Sequence, residues 1–165
     1  MDGQLALYPG TFDPFTYGHL DVLERALGLF DRVEVTIARN IGKETLFTPD
    51  ERLELTRACT EHFDGVRVAL HEGLIVDRAR DTGATALVRG LRQVSDFDYE
   101  FRMAFANRKL YPELETVFLM TSESYALISA TIVRDVHRWE GDVGKFVQPP
   151  VVEALRAKRG DRDGT

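Results

Sequence analysis

Residues 5–19 read Leu-Ala-Leu-Tyr-Pro-Gly-Thr-Phe-Asp-Pro-Phe-Thr-Tyr-Gly-His, and the architecture of the chain can be worked out from them. The apolar run at the start predicts a short buried strand, which the Pro-Gly pair ends. After His19, leucines at positions 20, 23 and 27 share one face of a predicted helix. The loop therefore joins a strand end to a helix start, where unpaired backbone N–H groups attract anions. Because Thr11, Thr16 and His19 add side-chain donors, the loop is predicted to bind phosphate.

Strand and helix patterns alternate along the rest of the chain. We predict strands at about 4–9, 33–38, 66–70, 86–88 and 116–120, and helices at about 18–29, 49–62, 74–81, 96–110, 130–138 and 150–158. Five alternations indicate an α/β fold with a single doubly wound, five-stranded parallel sheet covered on both faces. Such folds bind ligands beyond the carboxyl ends of their strands. We expect one domain over 1–158 and a frayed tail over 159–165.

Composition and charge narrow the class of protein. The chain has 165 residues, a net charge of −6 and one cysteine, Cys59, which is predicted to fill the core. The negative charge argues against broad nucleic-acid binding, which needs a basic surface. No apolar stretch approaches the roughly 20 residues of a membrane helix, and the start lacks a signal-peptide pattern. A cytoplasmic protein without membrane or nucleic-acid partners is expected.

The motifs of two common nucleotide-binding folds are missing from the sequence. Neither GxGxxG nor GxxxxGK(S/T) occurs, which argues against a nicotinamide-dependent dehydrogenase and a P-loop kinase. Anion binding must then rely on other groups at the strand ends.

Cationic and hydroxyl side chains follow the predicted strands. Arg89 and Arg92 come directly after the fourth strand, and arginine suits bidentate phosphate contact. Lys43 follows the second strand. Ser129 is the predicted N-cap of a helix whose free N–H groups can hold phosphate. Because the carboxyl ends of parallel strands meet at one edge of the sheet, we expect a polyanion site there.

The segment 96–101 alternates acidic and aromatic residues as a helix begins. Phe97 and Phe101 are predicted to be core residues. For Glu100 the spacing leaves both ligand and solvent open as its surroundings.

The loop resembles the signature of the nucleotidyltransferase superfamily with the (T/H)xGH motif, because Gly-Thr-Phe-Asp-Pro is followed by Thr-x-Gly-His. From about 6 to 155, the chain resembles the bacterial phosphopantetheine adenylyltransferase family. Arg-Gly-Leu-Arg at 89–92, with Asp-Phe-x-Tyr-Glu at 96–100, separates this family from its relatives. The other matching stretches are 8–14, 18–19, 47–52, 107–108, 112–115, 117–120 and 141–143.

The resemblance implies a Rossmann-like nucleotidyltransferase fold and a reaction in which ATP and 4′-phosphopantetheine give dephospho-coenzyme A and pyrophosphate. It also implies Mg²⁺ as the helper metal and a homohexamer. Thr11 and Lys43 would hold the phosphate of phosphopantetheine, Arg89 would also contact that substrate, and the backbone of Ile75 would contact the pantetheine arm. The residues implied in ATP binding are Thr11, Phe12, His19, Gly90, Leu91, Arg92, Glu100, Tyr125, Ala126, Leu127, Ile128, Ser129, Ala130 and Thr131.

One position departs from the family pattern. Where the family usually has Ser-Ser-Ser or Ser-Ser-Thr, this chain has Ser129-Ala130-Thr131. If backbone N–H groups make the phosphate contact there, Ala130 is harmless. If a hydroxyl is needed, ATP should bind more weakly, and the sequence leaves both outcomes open.

The implied chemistry needs no general base, because the attacking phosphate is already a nucleophile. Positioning and preorganised positive charge are the expected means of catalysis. Our hypothesis is that His19 stabilises the α-phosphoryl transition state. Arg92 and the helix start near Ser129 would hold the β- and γ-phosphates, and Thr11, Lys43 and Arg89 would orient the nucleophile.

Three alternatives remain at this stage. A sister nucleotidyltransferase would use another acceptor, such as nicotinamide mononucleotide or glycerol phosphate. A non-catalytic adenine-nucleotide-binding module would bind ATP without releasing pyrophosphate. A regulatory or scaffolding oligomer would use only the fold and bind no nucleotide.

Overall fold

Five parallel strands form the centre of the computed structural model, which describes residues 3–39, 42 and 44–163. The strands are β1 (Leu5–Gly10), β2 (Arg32–Ala38), β3 (Val66–His71), β4 (Ala86–Leu91) and β5 (Glu115–Met120), in the spatial order β3-β2-β1-β4-β5. The chain runs outward from β1 to one edge and then crosses to β4 on the other side. This reversal places the topological switch point between β1 and β4, where such sheets bind ligands. The predicted doubly wound parallel sheet is confirmed.

Helices cover both faces of the sheet. They are α1 (Tyr17–Leu27), α2 (Pro49–Thr60), α3 (Ile75–Thr82), α4 (Val94–Leu110), α5 (Ala130–Arg138) and α6 (Pro149–Asp163), with a short 3₁₀ helix at Glu123–Tyr125. As predicted, α2 begins with a capping box between Thr48 and Glu51, and α3 ends at Gly83 in the left-handed conformation with φ of 68°. None of the helices in the described part of the chain combines the length and apolar character that crossing a bilayer requires.

The core has two parts because strand side chains alternate between the two faces of the sheet. On one face, Val33, Val35 and Ile37 of β2 pack with α1 and with Val151 and Leu155 of α6. On the other face, residues of β1 and β4 pack with α3. Cys59 is buried in the first cluster, as predicted.

Two elements differ in length from the expectations. Strand β4 continues through Leu91, because Arg89 pairs with Phe118, and Gly90 and Leu91 pair with the next two residues of β5. The arginine therefore belongs to the strand rather than following it. The last helix extends to Asp163, five residues beyond the expected end.

The prediction that Phe97 and Phe101 belong to the core is wrong. Each is 43% exposed on α4, where their rings pack against each other. The acidic-aromatic alternation does not follow the helical period, so the pattern could not show which side of α4 faces the sheet.

Candidate active site

A cleft of about 320 Å³ opens beyond the carboxyl ends of β1 and β4. Its floor is the 9–13 loop, and its walls come from α1, the end of β4 and the start of α5. The strand-end loops therefore meet as the parallel topology requires. Residues that line the cleft include Thr11, Phe12, Asp13, His19, Arg89, Gly90, Arg92, Asp96, Glu100, Ile128, Ser129, Ala130, Thr131 and Arg134.

His19 is held in one orientation by the helix start on which it lies. The backbone N–H of Thr16 donates to Nδ1 of His19 at 3.0 Å, and the Thr16 hydroxyl accepts from the N–H of His19 at 3.3 Å. This capping box fixes the proton of the neutral imidazole on Nε2, because Nδ1 is an acceptor. Thr16, expected to be a donor in the site, instead serves as the buried N-cap of α1.

The imidazole of His19 is neutral at physiological pH. Burial, followed by the positive charges of Arg92 and Arg89, lowers the pKa of His19 to about 3. A neutral ring with its proton on Nε2 is a hydrogen-bond donor but not a cation. His19 can therefore stabilise developing negative charge by donation.

Asp13 and Arg52 fix the backbone of the floor. The buried carboxylate of Asp13 accepts from the N–H groups of Leu46 and Phe47 at 2.8 and 2.9 Å. The buried Arg52 donates to the carbonyl oxygens of Thr11 at 2.6 Å and Ala38 at 3.0 Å. The floor loop and the segment before α2 are thereby bound to each other.

Arg89 and Glu100 form a bidentate ion pair beside the cleft. Nε and Nη2 of Arg89 donate to the two carboxylate oxygens of Glu100 at 2.7 and 2.6 Å, and Nη1 donates to the carbonyl of Pro9 at 2.6 Å. Burial alone would lower the pKa of Arg89, but the Glu100 carboxylate raises it above its usual value. These bonds use three of the five N–H donors of the guanidinium. The arginine is thus a fixed positive charge.

Arg92 and the start of α5 form the opposite wall. The Nη1 donor of Arg92 lies 3.5 Å from the carbonyl of Ile128, and Nε lies 3.5 Å from Asp96. Contacts of that length are weak, so a phosphate can replace them. Ser129 caps α5 by accepting from the N–H of Ile132 at 3.1 Å. The N–H groups of Ala130 and Thr131 lie in the first turn, where a helix offers no intrahelical acceptor.

A second, smaller cavity of about 160 Å³ lies on the α4 side of Arg89. Arg89, Glu100 and Pro9 line both cavities. The rest of its lining is Ile75, Leu87, Tyr99, Met103, Ala104, Asn107 and Thr116, which is largely apolar. The two cavities therefore share a wall that contains the Arg89–Glu100 ion pair.

The structure brings most of the expected site residues together, but not all of them. Ile75 lines the second cavity at the start of α3. Lys43 lies outside the described residues. Four residues expected at the ATP site, all of them described, do not line the larger cleft: Leu91, Tyr125, Ala126 and Leu127. Leu91 is the last residue of β4, Tyr125 ends the 3₁₀ helix, and Ala126 and Leu127 follow it.

Sequence reasoning missed Arg134, which lies one helical turn into α5. Its Nη1 donates to the carbonyl of Asp13 at 2.6 Å, and its Nη2 donates to the Thr131 hydroxyl at 3.2 Å. It adds a third arginine to the cleft, with Arg89 and Arg92. Its position, three residues after Thr131 and four after Ala130, was the available signal, because that spacing places its side chain on the same face of the helix as the first turn.

Three comparisons place this geometry among known proteins. The model of the cytidylyltransferase-like family matches residues 7–136. A phosphopantetheine adenylyltransferase of Azoarcus sp. (strain BH72) is 53% identical over 96% of this chain and 97% of its own. The phosphopantetheine adenylyltransferase of Heliobacterium modesticaldum is 48% identical over 95% of this chain and 94% of its own length.

Solved structures share the fold at low identity. A Plasmodium falciparum nicotinic acid mononucleotide adenylyltransferase superposes with a TM-score of 0.66 at 16% identity, covering 98% of both chains. A lipopolysaccharide core biosynthesis protein from Thermoplasma volcanium superposes with a TM-score of 0.55 at 22% identity, covering 73% of this chain and 99% of the other.

Proposed function

The chain belongs to the phosphopantetheine adenylyltransferases of the cytidylyltransferase-like family, and from this premise we propose how its cleft performs the reaction. It transfers AMP from ATP to 4′-phosphopantetheine, giving dephospho-coenzyme A and pyrophosphate. The observation that carries this assignment is the 53% identity over 96% of the chain. Because ATP is a cytoplasmic metabolite, we place the enzyme in the cytoplasm.

The two cavities suggest one position for each substrate. ATP occupies the larger cleft, whose three arginines suit a triphosphate. The pantetheine arm occupies the smaller, more apolar cavity, which includes Ile75. The phosphate of phosphopantetheine then lies near Arg89, on the wall that both cavities share. Thr11 lines the larger cleft, and we propose that Thr11 and Lys43 bind this phosphate.

Reaction occurs when an oxygen of the acceptor phosphate attacks the α-phosphorus of ATP. A phosphorus–oxygen bond forms on one side, and the bond to the bridging oxygen of pyrophosphate breaks on the other. Nε2–H of His19 donates to the α-phosphoryl group as its charge increases. Arg92, Arg134 and the first turn of α5 stabilise the departing pyrophosphate. No covalent enzyme intermediate is involved.

Ala130 is compatible with this arrangement. Ser129, which keeps its hydroxyl, uses it to cap α5 rather than to face a phosphate. The donors offered to the β- and γ-phosphates are the N–H groups of Ala130 and Thr131, and every residue except proline supplies one. We propose that the backbone makes this contact and that the missing hydroxyl weakens ATP binding little.

Mg²⁺ fits the cleft as a companion of the nucleotide. Among the described residues, no three potential ligands converge on one point. Asp13 and Glu100 are occupied by backbone amides and by Arg89. Mg²⁺ commonly binds through substrate phosphates and keeps several waters, so few protein ligands are needed. It would neutralise phosphate charge when it is bound.

Pyrophosphate release tests the function directly. The chain is incubated with ATP and one of three acceptors: 4′-phosphopantetheine, nicotinamide mononucleotide or glycerol 3-phosphate. We expect release only with 4′-phosphopantetheine, and loss of release when EDTA removes Mg²⁺. Release only with another acceptor would overturn the substrate. ATP binding without release for any acceptor would indicate a non-catalytic module, and no nucleotide binding would indicate a scaffold.

We also propose that the enzyme is a homo-oligomer, a hexamer as the family resemblance implies. An aromatic row on α4 is exposed, with Phe97–Phe101 and Phe101–Phe105 ring centroids 5.2 and 4.7 Å apart. Phe118 of the edge strand β5 extends this surface at 5.9 Å from Phe97. Contiguous exposed apolar surface next to a sheet edge is typical of a subunit interface.

Light scattering measures the assembly. We expect a mass six times the 18.7 kDa of the chain. Phe105→Glu should lower this mass by placing a charge in the interface. The control is Leu29→Glu, since Leu29 is equally exposed but lies away from α4. A monomeric wild-type protein would refute the proposal.

A further inference from the structure

A carboxylate on α1 holds the loop that leads from β5 to α5. Asp21, two residues after His19, is nearly buried and accepts from the backbone N–H of Ser122 at 2.8 Å. It also accepts from the Ser122 hydroxyl in a short hydrogen bond. Arg25 completes the group by donating to Asp21 at 3.2 Å and to the Ser122 hydroxyl at 2.7 Å. We call the Asp21–Ser122 pair the latch.

The latch lies where the loop leaves the sheet. Thr121 still bonds to the strand, with its N–H donating to the carbonyl of Leu91 at 3.0 Å. Ser122 is the N-cap residue of the 3₁₀ helix, and seven residues later Ser129 caps α5. The latch therefore fixes the first residue of the segment that ends at the phosphate-facing turn.

The same loop lies directly on the first turn of α1. A Cβ at Gly18 would lie 3.4 Å from the carbonyl oxygen of Ile128 and 3.7 Å from that of Tyr125. The rings of Tyr17 and Tyr125 stack with centroids 6.2 Å apart. At Gly18 the loop and the helix that carries His19 therefore approach each other closely, backbone to backbone.

We propose that Asp21 is a positioning residue, which through Ser122 sets the distance between His19 and the nucleotide-holding wall of the cleft. The proposal rests on the proposed function, because it takes the larger cleft as the ATP site. It explains why Asp21, a charged residue that does not line the cleft, is nevertheless nearly buried. A carboxylate suits the task, since its two oxygens can accept from both donors of Ser122 at once. Burial alone would raise the pKa of Asp21. The hydrogen bonds from Ser122 and the charge of Arg25 stabilise the ionised carboxylate, so the pKa of Asp21 lies below its usual value.

We expect loss of the latch to weaken the binding of ATP much more than the binding of the acceptor. The latch touches the loop and α1 but none of the residues that line the smaller cavity. Without the latch, the wall that contains Ile128, Ser129 and Ala130 is free to shift away from His19. The acceptor site, built from β4, α3 and α4, keeps its supports.

The test compares Asp21→Ala, Asp21→Asn and Ser122→Ala in the full chain. Asp21→Ala should raise KM for ATP roughly 10- to 100-fold, because hydrogen bonds to a charged group are removed. KM for 4′-phosphopantetheine should change less than about threefold. Ser122→Ala should have a smaller effect in the same direction, and little further effect in the Asp21→Ala background. Asp21→Asn should restore part of the loss, because the amide oxygen can still accept from the Ser122 N–H.

Calorimetry with ATP alone tests this proposal independently of which acceptor the enzyme uses, because it measures only the dissociation constant of ATP. The dissociation constant of ATP should rise in Asp21→Ala whichever acceptor the enzyme uses. Glu54→Ala is the matched control, since Glu54 pairs with Arg57 at 2.8 Å on α2, away from the cleft, and should leave both KM values unchanged. Equal changes in both KM values, or no change for ATP, would overturn the proposal. If Asp21→Ala fails to fold, the test uses Ser122→Ala instead, because Ser122 is only partly buried. An unchanged dissociation constant of ATP in Ser122→Ala would then refute the proposal.

Discussion

Replacing His19 by alanine is expected to lower kcat by about 10²- to 10³-fold, which is the usual effect of removing one preorganised donor from a transition state. The dissociation constant of ATP should change far less, since Arg92, Arg134 and the start of α5 still bind the phosphates. Steady-state kinetics and calorimetry measure the two quantities. Near-normal turnover of the variant would show that His19 is not the transition-state donor.

The variants His19→Gln and His19→Glu separate the role of His19 in catalysis from its role in capping α1. Both residues can complete a capping box with Thr16, so α1 should keep its start in either variant. Only glutamine also presents an N–H donor to the cleft. We therefore expect His19→Gln to retain more activity than His19→Glu, at similar thermal stability. Equal activity of the two would mean that the donor is irrelevant.

The low pKa of His19 gives a pH signature. Since burial, followed by the charges of Arg92 and Arg89, lowers this pKa to about 3, the free enzyme keeps the neutral donor throughout the range from pH 8 to pH 5. The ratio of wild-type to His19→Gln kcat/KM values, which report the free enzyme, should then stay constant over this range, and titration of the substrate phosphates cancels in the ratio. If imidazolium were the catalytic form, the ratio would rise as the pH falls.

The fold could be predicted because its signals are local. Alternation of strand and helix patterns, the cap at Thr48 and the glycine at 83 each depend on neighbours within a few residues. The loop from Thr11 to His19 was found in the same way. The strand-end rule then placed Arg89, Arg92 and Ser129 around one cleft without knowledge of any contact.

The remaining features depend on contacts between distant residues. Asp21 and Ser122 are separated by 101 positions, and Asp13 and Leu46 by 33. Neither pairing leaves a local pattern. The aromatic residues on α4 were misjudged for a related reason, because apolar residues on an exposed helix face and apolar residues that face a core are the same in the sequence. A single sequence does not distinguish the two.

Replacing Arg89 by alanine is expected to lower kcat/KM by about 10³-fold or more, with both KM values raised. Arg89 lines both cavities and binds the carbonyl of Pro9, so its loss removes positive charge where we propose that the two anionic substrates meet. It also leaves the nearly buried carboxylate of Glu100 without its partner. Breaking one side of a buried ion pair typically costs about 3–5 kcal/mol, so the melting temperature should fall as well.

A double variant separates the effect of the missing cation on catalysis from the effect of the unpaired Glu100 carboxylate on stability. Glu100→Gln in the Arg89→Ala background removes the unpaired negative charge, and it should restore most of the melting temperature. It should leave kcat/KM low, because the cation that faces the substrates is still missing. Recovery of both quantities would mean that Arg89 only supports the fold. Arg57→Ala is the control, since its pair with Glu54 is exposed and such pairs contribute about 0–1 kcal/mol. The expected contrast follows from location: an ion pair in water contributes little, whereas the pair that lies between the two proposed substrate cavities should affect both stability and binding.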